Sequence, residues 1–114
     1  MYINSTGFYI PEERVHNDHF LNLNGLTDEW ILQRTGIRTR SKAAPNEGHN
    51  SMGLNAIEDA IKHLSYDVTD VDLIVSAAYA PYDTVATLAH IAQRKYSMDK
   101  AKAVYASAAC SSFV

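Results

Sequence analysis

The single cysteine of the chain, Cys110, lies in a sequence context that favours a reactive thiol. Small residues at 106–109 lead to it from a predicted buried strand, and residues 111–113 are predicted to open a helix after it. A junction from strand through turn to helix exposes a side chain at the carboxyl edge of a sheet, where the ligands of open α/β folds bind. The positive potential of a helix N-terminus favours the thiolate, which is the nucleophilic form of cysteine. This pattern is compatible with a reactive thiolate at Cys110.

A second interpretation of Cys110 stays open from spacing alone. Unpaired cysteines are among the residues most often buried, so Cys110 could instead be an inert core residue of a non-catalytic α/β module. A lone cysteine forms no disulfide within the chain, which fits a reducing compartment.

Trp30 and Arg34 are four residues apart in a strongly marked helix. Thr27 is the expected N-cap, two acidic residues follow it, and Gly36 ends the helix. Residues at this spacing share one helix face. Taken alone, the pair is explained as helix surface plus a core anchor.

The elements that must position Cys110 follow from hydrophobic periodicity. Strands are predicted near 72–79 and 102–108, separated by a helix near 84–96 that a turn at Pro81 and Asp83 precedes. Nearly unbroken apolar runs suit strands covered on both faces of a parallel sheet, so this is a right-handed βαβ unit. A further helix is predicted over 51–64, capped by Asn50 or Ser51. The order of elements predicts an α/β fold.

The N-terminal half of the chain predicts shorter elements. A first strand is expected over 2–10, closed by Pro11, which cannot donate to a ladder. A short helix is expected over 15–23 with Asn17 as its N-cap, and a strand or extended loop over 37–43.

No metal site is predicted. His16 and His19 are three residues apart, but no further Cys or His lies near them to complete a structural site. Arg38 and Arg40 are interpreted as solvated strand charges, with phosphate contacts as the alternative.

Composition limits the classes of function. The chain has 114 residues, a formal net charge of −3 and a pI near 5.9, which argues against nucleic-acid binding. It has no apolar stretch near 20 residues and no signal peptide, so we predict a cytoplasmic protein without a membrane span. The apolar end of the sequence suggests a chain cut from a longer one.

Four separated motifs together resemble those of the β-ketoacyl-acyl-carrier-protein synthase III enzymes, which are condensing enzymes of fatty acid synthesis. They are 27–31 (TDEWI), 34–38 (RTGIR), 43–47 (AAPNE) and 107–110 (SAAC). The resemblance covers essentially all of this chain but only about the first third of a family member.

The resemblance implies a thiolase fold of two similar α/β halves, each with a mixed five-stranded sheet and flanking helices, in a homodimer. Residues 1–114 would be the N-terminal part of the first half, and the second half would be absent. Cys110 would accept an acyl group, usually acetyl, from acyl-coenzyme A, and malonyl-acyl carrier protein would then be condensed with it. Trp30 and Arg34 would bind the adenine of coenzyme A, and no cofactor is implied. A catalytic His and Asn would come from the second half, so this chain alone is expected to be inactive.

Three positions depart from the family pattern. Leu26 stands where a small polar residue usually contacts the nucleotide, and Ser112 stands where glycine is usual. Val85 replaces an aromatic residue at the position where the partner subunit closes the acyl pocket. Besides the non-catalytic module, a related acyltransferase of secondary metabolism remains an alternative.

Overall fold

The computed structural model describes residues 2–79 and 83–112, which divide into two compact units. Residues 10–48 form one, here called the tryptophan unit, and residues 2–9 with 49–112 form the other, the cysteine unit. The tryptophan unit contains β1 (Glu13–His16), α1 (Asp18–Asn24), α2 (Asp28–Thr35) and β2 (Thr39–Lys42). The cysteine unit contains α3 (His49–Ile61), β3 (Leu73–Ala77), α4 (Leu88–Lys95) and β4 (Lys102–Ala106).

The predicted strand–helix–strand unit is confirmed. β3 and β4 pair in parallel, with Leu73 opposite Lys102 and Ala77 opposite Ala106. Helix α4 packs on both strands and against α3. Its buried residues, Ala89 and Ala92, are small, so the helix axis approaches the sheet closely.

One face of this sheet is exposed. Leu73, Val75 and Val104 point away from α4 and remain about half accessible, although strands covered on both faces were expected. For the described residues that expectation is wrong, because these three strand residues remain exposed although α4 packs on both strands. Alternation of exposed and covered residues along β3 follows from this one-sided packing.

The strand predicted over 2–10 is wrong, because residues 2–10 belong to no strand. Part of this segment lies on α3 instead: the Ser5 hydroxyl donates to the Ala60 carbonyl at 2.6 Å, and the Phe8 N–H donates to an Asp59 carboxylate oxygen at 3.3 Å. A Cβ at Gly7 would lie 2.3 Å from the backbone nitrogen of Ala60. Glycine is therefore required where this segment crosses the helix.

In the tryptophan unit, β1 and β2 pair antiparallel, with Val15 opposite Arg40. Asn17 is almost fully buried, and its side-chain amide donates to Asp28 at 2.7 Å and to the Ile37 carbonyl at 2.8 Å. These bonds tie the start of α1 to both ends of α2. Asn17 is the N-cap residue of α1 as predicted, but its side chain makes no capping hydrogen bond.

Helix boundaries differ from the sequence prediction at several ends. The helix predicted over 15–23 begins only at Asp18, because Val15 belongs to β1. The helix predicted over 51–64 runs from His49 to Ile61, so the Asn50 or Ser51 cap is wrong. The helix predicted over 84–96 begins at Leu88, after a turn held by Asp83.

The helix predicted to open at Cys110 extends beyond the described residues and stays a prediction. Residues 111 and 112 form a turn, and Phe113 lies outside the described residues, as does Pro81 of the other predicted turn. Within 2–79 and 83–112, no helix has the length and apolar character needed to cross a membrane.

Candidate active site

Cys110 is exposed on a tight turn that follows β4. The Ser111 N–H donates to the Ala108 carbonyl at 3.0 Å, and the Ser112 N–H donates to the Ala109 carbonyl at 3.4 Å. Two successive turns of this kind reverse the chain immediately around the cysteine. The sequence therefore placed Cys110 correctly beyond a strand, but a turn presents it where a helix start was expected.

The Ser112 side chain closes the same turn. Its hydroxyl oxygen accepts the Ala108 N–H at 2.6 Å, and the hydroxyl donates to the Ala109 carbonyl at 2.9 Å. Ala109 has φ +50°, a left-handed conformation that costs a residue with a Cβ about 1–2 kcal/mol. Local hydrogen bonds thus hold a strained residue directly before Cys110. The sequence shows serine at position 112, where glycine is usual, but the hydrogen bonds of Ser112 were not predicted from it.

A cavity of about 230 Å³ opens beside the thiol. Its described lining consists of Ala77, Ala78, Tyr79, Ala109, Cys110 and Ser112. The cavity lies where the carboxyl ends of β3 and β4 meet, as expected for a ligand site in an α/β fold. Small side chains leave the thiol accessible, which suits acyl transfer to the sulfur.

Val85 lies on the loop before α4 and is 83% exposed. It is not among the described residues that line the Cys110 cavity. An Asp83 carboxylate oxygen accepts the N–H groups of Val85 at 2.7 Å and Ala86 at 3.0 Å. Both bonds hold the pKa of the Asp83 carboxyl below its usual value, and the bond from Val85 has the larger effect. Asp83 therefore supports the loop conformation at Val85, and its ionised form is the stronger acceptor.

A buried pair of hydroxyl side chains, Ser76 and Thr87, was not predicted from the sequence. The Ser76 hydroxyl donates to the Thr87 hydroxyl at 3.5 Å, and both residues are buried. The Thr87 hydroxyl also lies 2.9 Å from Nδ1 of His90. Thr87 is the N-cap of α4, yet its side chain makes no cap bond, since it is turned to these partners. The sequence feature that could have indicated this pair is Ser76, a polar residue within an apolar run.

Trp30 and Arg34 contact each other in the tryptophan unit. The Arg34 Cζ lies 4.5 Å from the centroid of the Trp30 ring, and the ring is 44% exposed. The predicted Thr27 cap is present, with the Trp30 N–H donating to its hydroxyl at 3.2 Å, and Gly36 ends the helix at φ +71°. A purine could stack on the free indole face or separate the two groups. Leu26, before the cap, is half-buried.

A polar cavity of about 300 Å³ lies elsewhere in the same unit and includes Asn17, Asp28 and Arg38 in its lining. Arg40 is only partly exposed, with Cζ 4.5 Å from the Phe20 ring, so its interpretation as a solvated charge is wrong. His19 packs edge-on against Phe20. Among residues 2–79 and 83–112, no three His, Cys, Asp or Glu side chains form a group that could hold a metal ion.

Comparison with known proteins was made by sequence and by structure. No family model matches the chain. It is 38% identical over 112 residues to a β-ketoacyl-acyl-carrier-protein synthase III of Nostoc sp., a match that covers 98% of this chain and 34% of that protein. The chain thus spans about a third of the length of the curated relatives it matches.

Solved structures agree with this similarity. The chain superposes on 3-oxoacyl-acyl-carrier-protein synthase III of Aquifex aeolicus with a TM-score of 0.88 at 31% identity, over 97% of this chain and 36% of that one. It also matches the priming β-ketosynthase of the R1128 polyketide biosynthetic pathway, with a TM-score of 0.88 at 32% identity, over 97% and 33% of the two chains. The 114 residues are therefore homologous to about a third of a β-ketoacyl-acyl-carrier-protein synthase III, and their fold is the matching part of its thiolase-like α/β structure.

Proposed function

We propose that the chain is the N-terminal part of a condensing acyltransferase that starts fatty acid synthesis, with Cys110 as its acyl-accepting nucleophile. The observation that carries the proposal is an exposed thiol on a turn after a parallel strand, beside a cavity lined mostly by small residues. The alternative of a non-catalytic module with an inert cysteine is disfavoured by the 38% identity to a β-ketoacyl-acyl-carrier-protein synthase III over 98% of this chain.

The first half-reaction transfers the acyl group. The Cys110 thiolate attacks the thioester carbonyl of acyl-coenzyme A, the bond from that carbon to the coenzyme A sulfur breaks, and coenzyme A leaves as its thiol after gaining a proton. Covalent catalysis of this kind divides one difficult step into two easier ones. Acetyl is the expected primer.

The second half-reaction forms the carbon–carbon bond. Malonyl-acyl carrier protein loses carbon dioxide, and the electron pair left behind attacks the carbonyl of the acyl-Cys110 thioester. The carbon–sulfur bond then breaks, which releases β-ketoacyl-acyl carrier protein and restores the thiolate. Neither half-reaction changes a redox state, so the proposal needs no cofactor.

Trp30 and Arg34 are assigned to the adenine end of coenzyme A. An exposed indole with a guanidinium over one face offers a flat, cationic platform for a purine. Base–aromatic stacking is worth about 1–3 kcal/mol per base. The neighbouring Leu26 offers no polar side-chain contact to the nucleotide.

Condensation requires donors for the departing carboxylate and for the developing enolate, placed together. We assign these to a His and an Asn in the second half of a full-length enzyme. The 114 residues alone should therefore be inactive in condensation. The full-length enzyme is proposed to be a cytoplasmic homodimer.

A second candidate is a priming condensing enzyme of secondary metabolism. Similarity to the R1128 priming ketosynthase is as strong as similarity to the 3-oxoacyl-acyl-carrier-protein synthase III of Aquifex aeolicus. Valine at position 85 favours this candidate if that position closes the acyl pocket, since a smaller side chain admits larger primers.

The test is product formation by the full-length enzyme from acyl-coenzyme A and malonyl-acyl carrier protein, read by mass spectrometry of the carrier. A β-ketoacyl product that Cys110→Ser abolishes and Ser107→Ala retains supports the proposal. Absence of any product with primers of two to five carbons would reject condensation. Product from the 114-residue chain alone would reject the assignment of essential groups to a second half.

A further inference from the structure

We propose that Ser112 is a positioning residue that holds the Cys110 thiol in its reactive orientation, an inference that rests on the acyl-transfer function proposed above. The hydroxyl bridges two backbone groups on the other side of the cysteine, Ala108 N–H at 2.6 Å and Ala109 C=O at 2.9 Å. The turn is thereby clamped at both ends of the segment that carries the nucleophile.

The clamp opposes a local strain. Ala109, at φ +50°, directly precedes Cys110 and would relax toward ordinary backbone angles if the turn were free to open. Relaxation at residue 109 rotates the peptide plane that leads into Cys110, and with it the direction of the thiol. Strained residues persist where the surrounding structure over-determines them, and here the Ser112 hydroxyl supplies two of the constraints.

The clamp is specific to the hydroxyl of residue 112. Ser111, one position earlier, is exposed, and its side chain forms no hydrogen bond within the described part of the chain. Its backbone N–H closes the turn regardless of its side chain. Ser111→Ala is therefore a matched control for Ser112→Ala, with the same atoms removed from an adjacent position.

The clamp acts on reactivity more than on binding. Ser112 lines the cavity, but an orientation change at Cys110 alters the rate of the chemical step, whereas substrate affinity depends on the remaining contacts. A misplacement near 1 Å at a reacting group can cost about 100-fold in rate. Ser112→Ala should thus lower the maximal rate of Cys110 acylation by about 10-fold to 100-fold and change the KM for acyl-coenzyme A by less than about 3-fold.

The experiment measures single-turnover acylation of Cys110 in the full-length enzyme, together with residue-resolved amide exchange at Ala108. Ser112→Ala should slow acylation and speed exchange of the Ala108 amide by up to about 10-fold, since one hydrogen bond contributes about 0.5–1.5 kcal/mol. Ser112→Thr, which keeps the hydroxyl, should restore both quantities, and Ser111→Ala should leave both unchanged. If Ser112→Ala does not accumulate as folded protein, Ser112→Val, which matches threonine in shape but lacks the hydroxyl, tests the same loss.

Acylation of Ser112→Ala within 2-fold of wild type, equal losses in Ser111→Ala, or no rescue by threonine would each overturn the proposal. If the wild-type enzyme forms no acyl-Cys110 at all, the proposed function fails. In that case the exchange measurement decides the role of Ser112: unchanged exchange in Ser112→Ala rejects the clamp, and faster exchange with threonine rescue supports it.

Discussion

The phenolic hydroxyl of Tyr105, on β4, donates a 2.6 Å hydrogen bond to the carbonyl oxygen of Ala78, just beyond the end of β3. Ala78 lines the Cys110 cavity, and Tyr105 lies five residues before the cysteine. This bond fixes the cavity wall to the strand that leads to Cys110. Its acceptor, Ala78, lies one residue beyond the last ladder pair, Ala77 with Ala106.

Tyr105→Phe tests that relationship. Removing the hydroxyl leaves the partly shielded Ala78 carbonyl without this donor, so the full-length enzyme should lose about 0.5–1.5 kcal/mol of unfolding free energy. Denaturant unfolding measures the loss. Tyr66→Phe is the matched control, because the Tyr66 ring is exposed and its hydroxyl forms no hydrogen bond to the described residues. Equal effects in the two variants would show that the Ala78 bond contributes nothing.

Trp30→Ala should weaken the use of acyl-coenzyme A by about 10-fold to 100-fold in kcat/KM, because one stacking partner of the adenine is worth about 1–3 kcal/mol. The half-reaction with malonyl-acyl carrier protein should suffer less, since the pantetheine arm of the carrier has no adenine. Steady-state kinetics with each substrate varied in turn separates the two. Gln33→Ala, on the same exposed helix, is the control. Equal losses in both half-reactions would make Trp30 a structural residue.

Val85→Phe should narrow the range of primers. We expect the wild-type enzyme to accept acyl groups longer or more branched than acetyl, because each buried methylene contributes about 0.8 kcal/mol and valine leaves room for it. The phenylalanine ring should shift the preference back toward acetyl. Relative kcat/KM values for acetyl and for branched four- and five-carbon primers measure this. A marked preference of the wild type for acetyl would contradict the prediction.

Asp83 should make the loop before α4 sensitive to acid. Its folded-state pKa lies below the usual value because the N–H groups of Val85 and Ala86 stabilise the carboxylate. The stabilisation is therefore fully present above the unfolded-state pKa, about 3.9, and is lost as the pH falls through the lower folded-state pKa. The Asp83→Asn variant keeps a side-chain oxygen that can accept these hydrogen bonds, but this side chain does not titrate. The difference in thermal midpoint between wild type and Asp83→Asn should shrink from pH 6 toward pH 3, and a constant difference would exclude this role.

Local signals in the sequence predicted local structure well. Thr27 and Gly36 mark the ends of α2 because a capping hydroxyl and a left-handed glycine act within a few residues. The parallel pair β3 and β4 was predictable because apolar runs separated by a helical period leave few other topologies.

The failures needed information that residue types and spacing do not carry. The segment 2–10 is rich in aromatic and β-branched residues typical of strands, but a strand exists only with a hydrogen-bonded neighbour, and here Gly7 crosses α3 instead. The Ser112 clamp depends on a turn geometry that no spacing rule encodes, since its partners are backbone atoms of Ala108 and Ala109. Cys110 itself was predictable as a candidate because its type and its position after β4 were both visible.

The most direct test of the account is the intact mass of the full-length enzyme after brief incubation with acetyl-coenzyme A. We predict a mass increase of one acetyl group, located on Cys110 by peptide mapping, labile to hydroxylamine as a thioester and absent in Cys110→Ser. An unmodified enzyme, or an acetyl group on another residue that persists in Cys110→Ser, would contradict the assignment of Cys110 as the nucleophile.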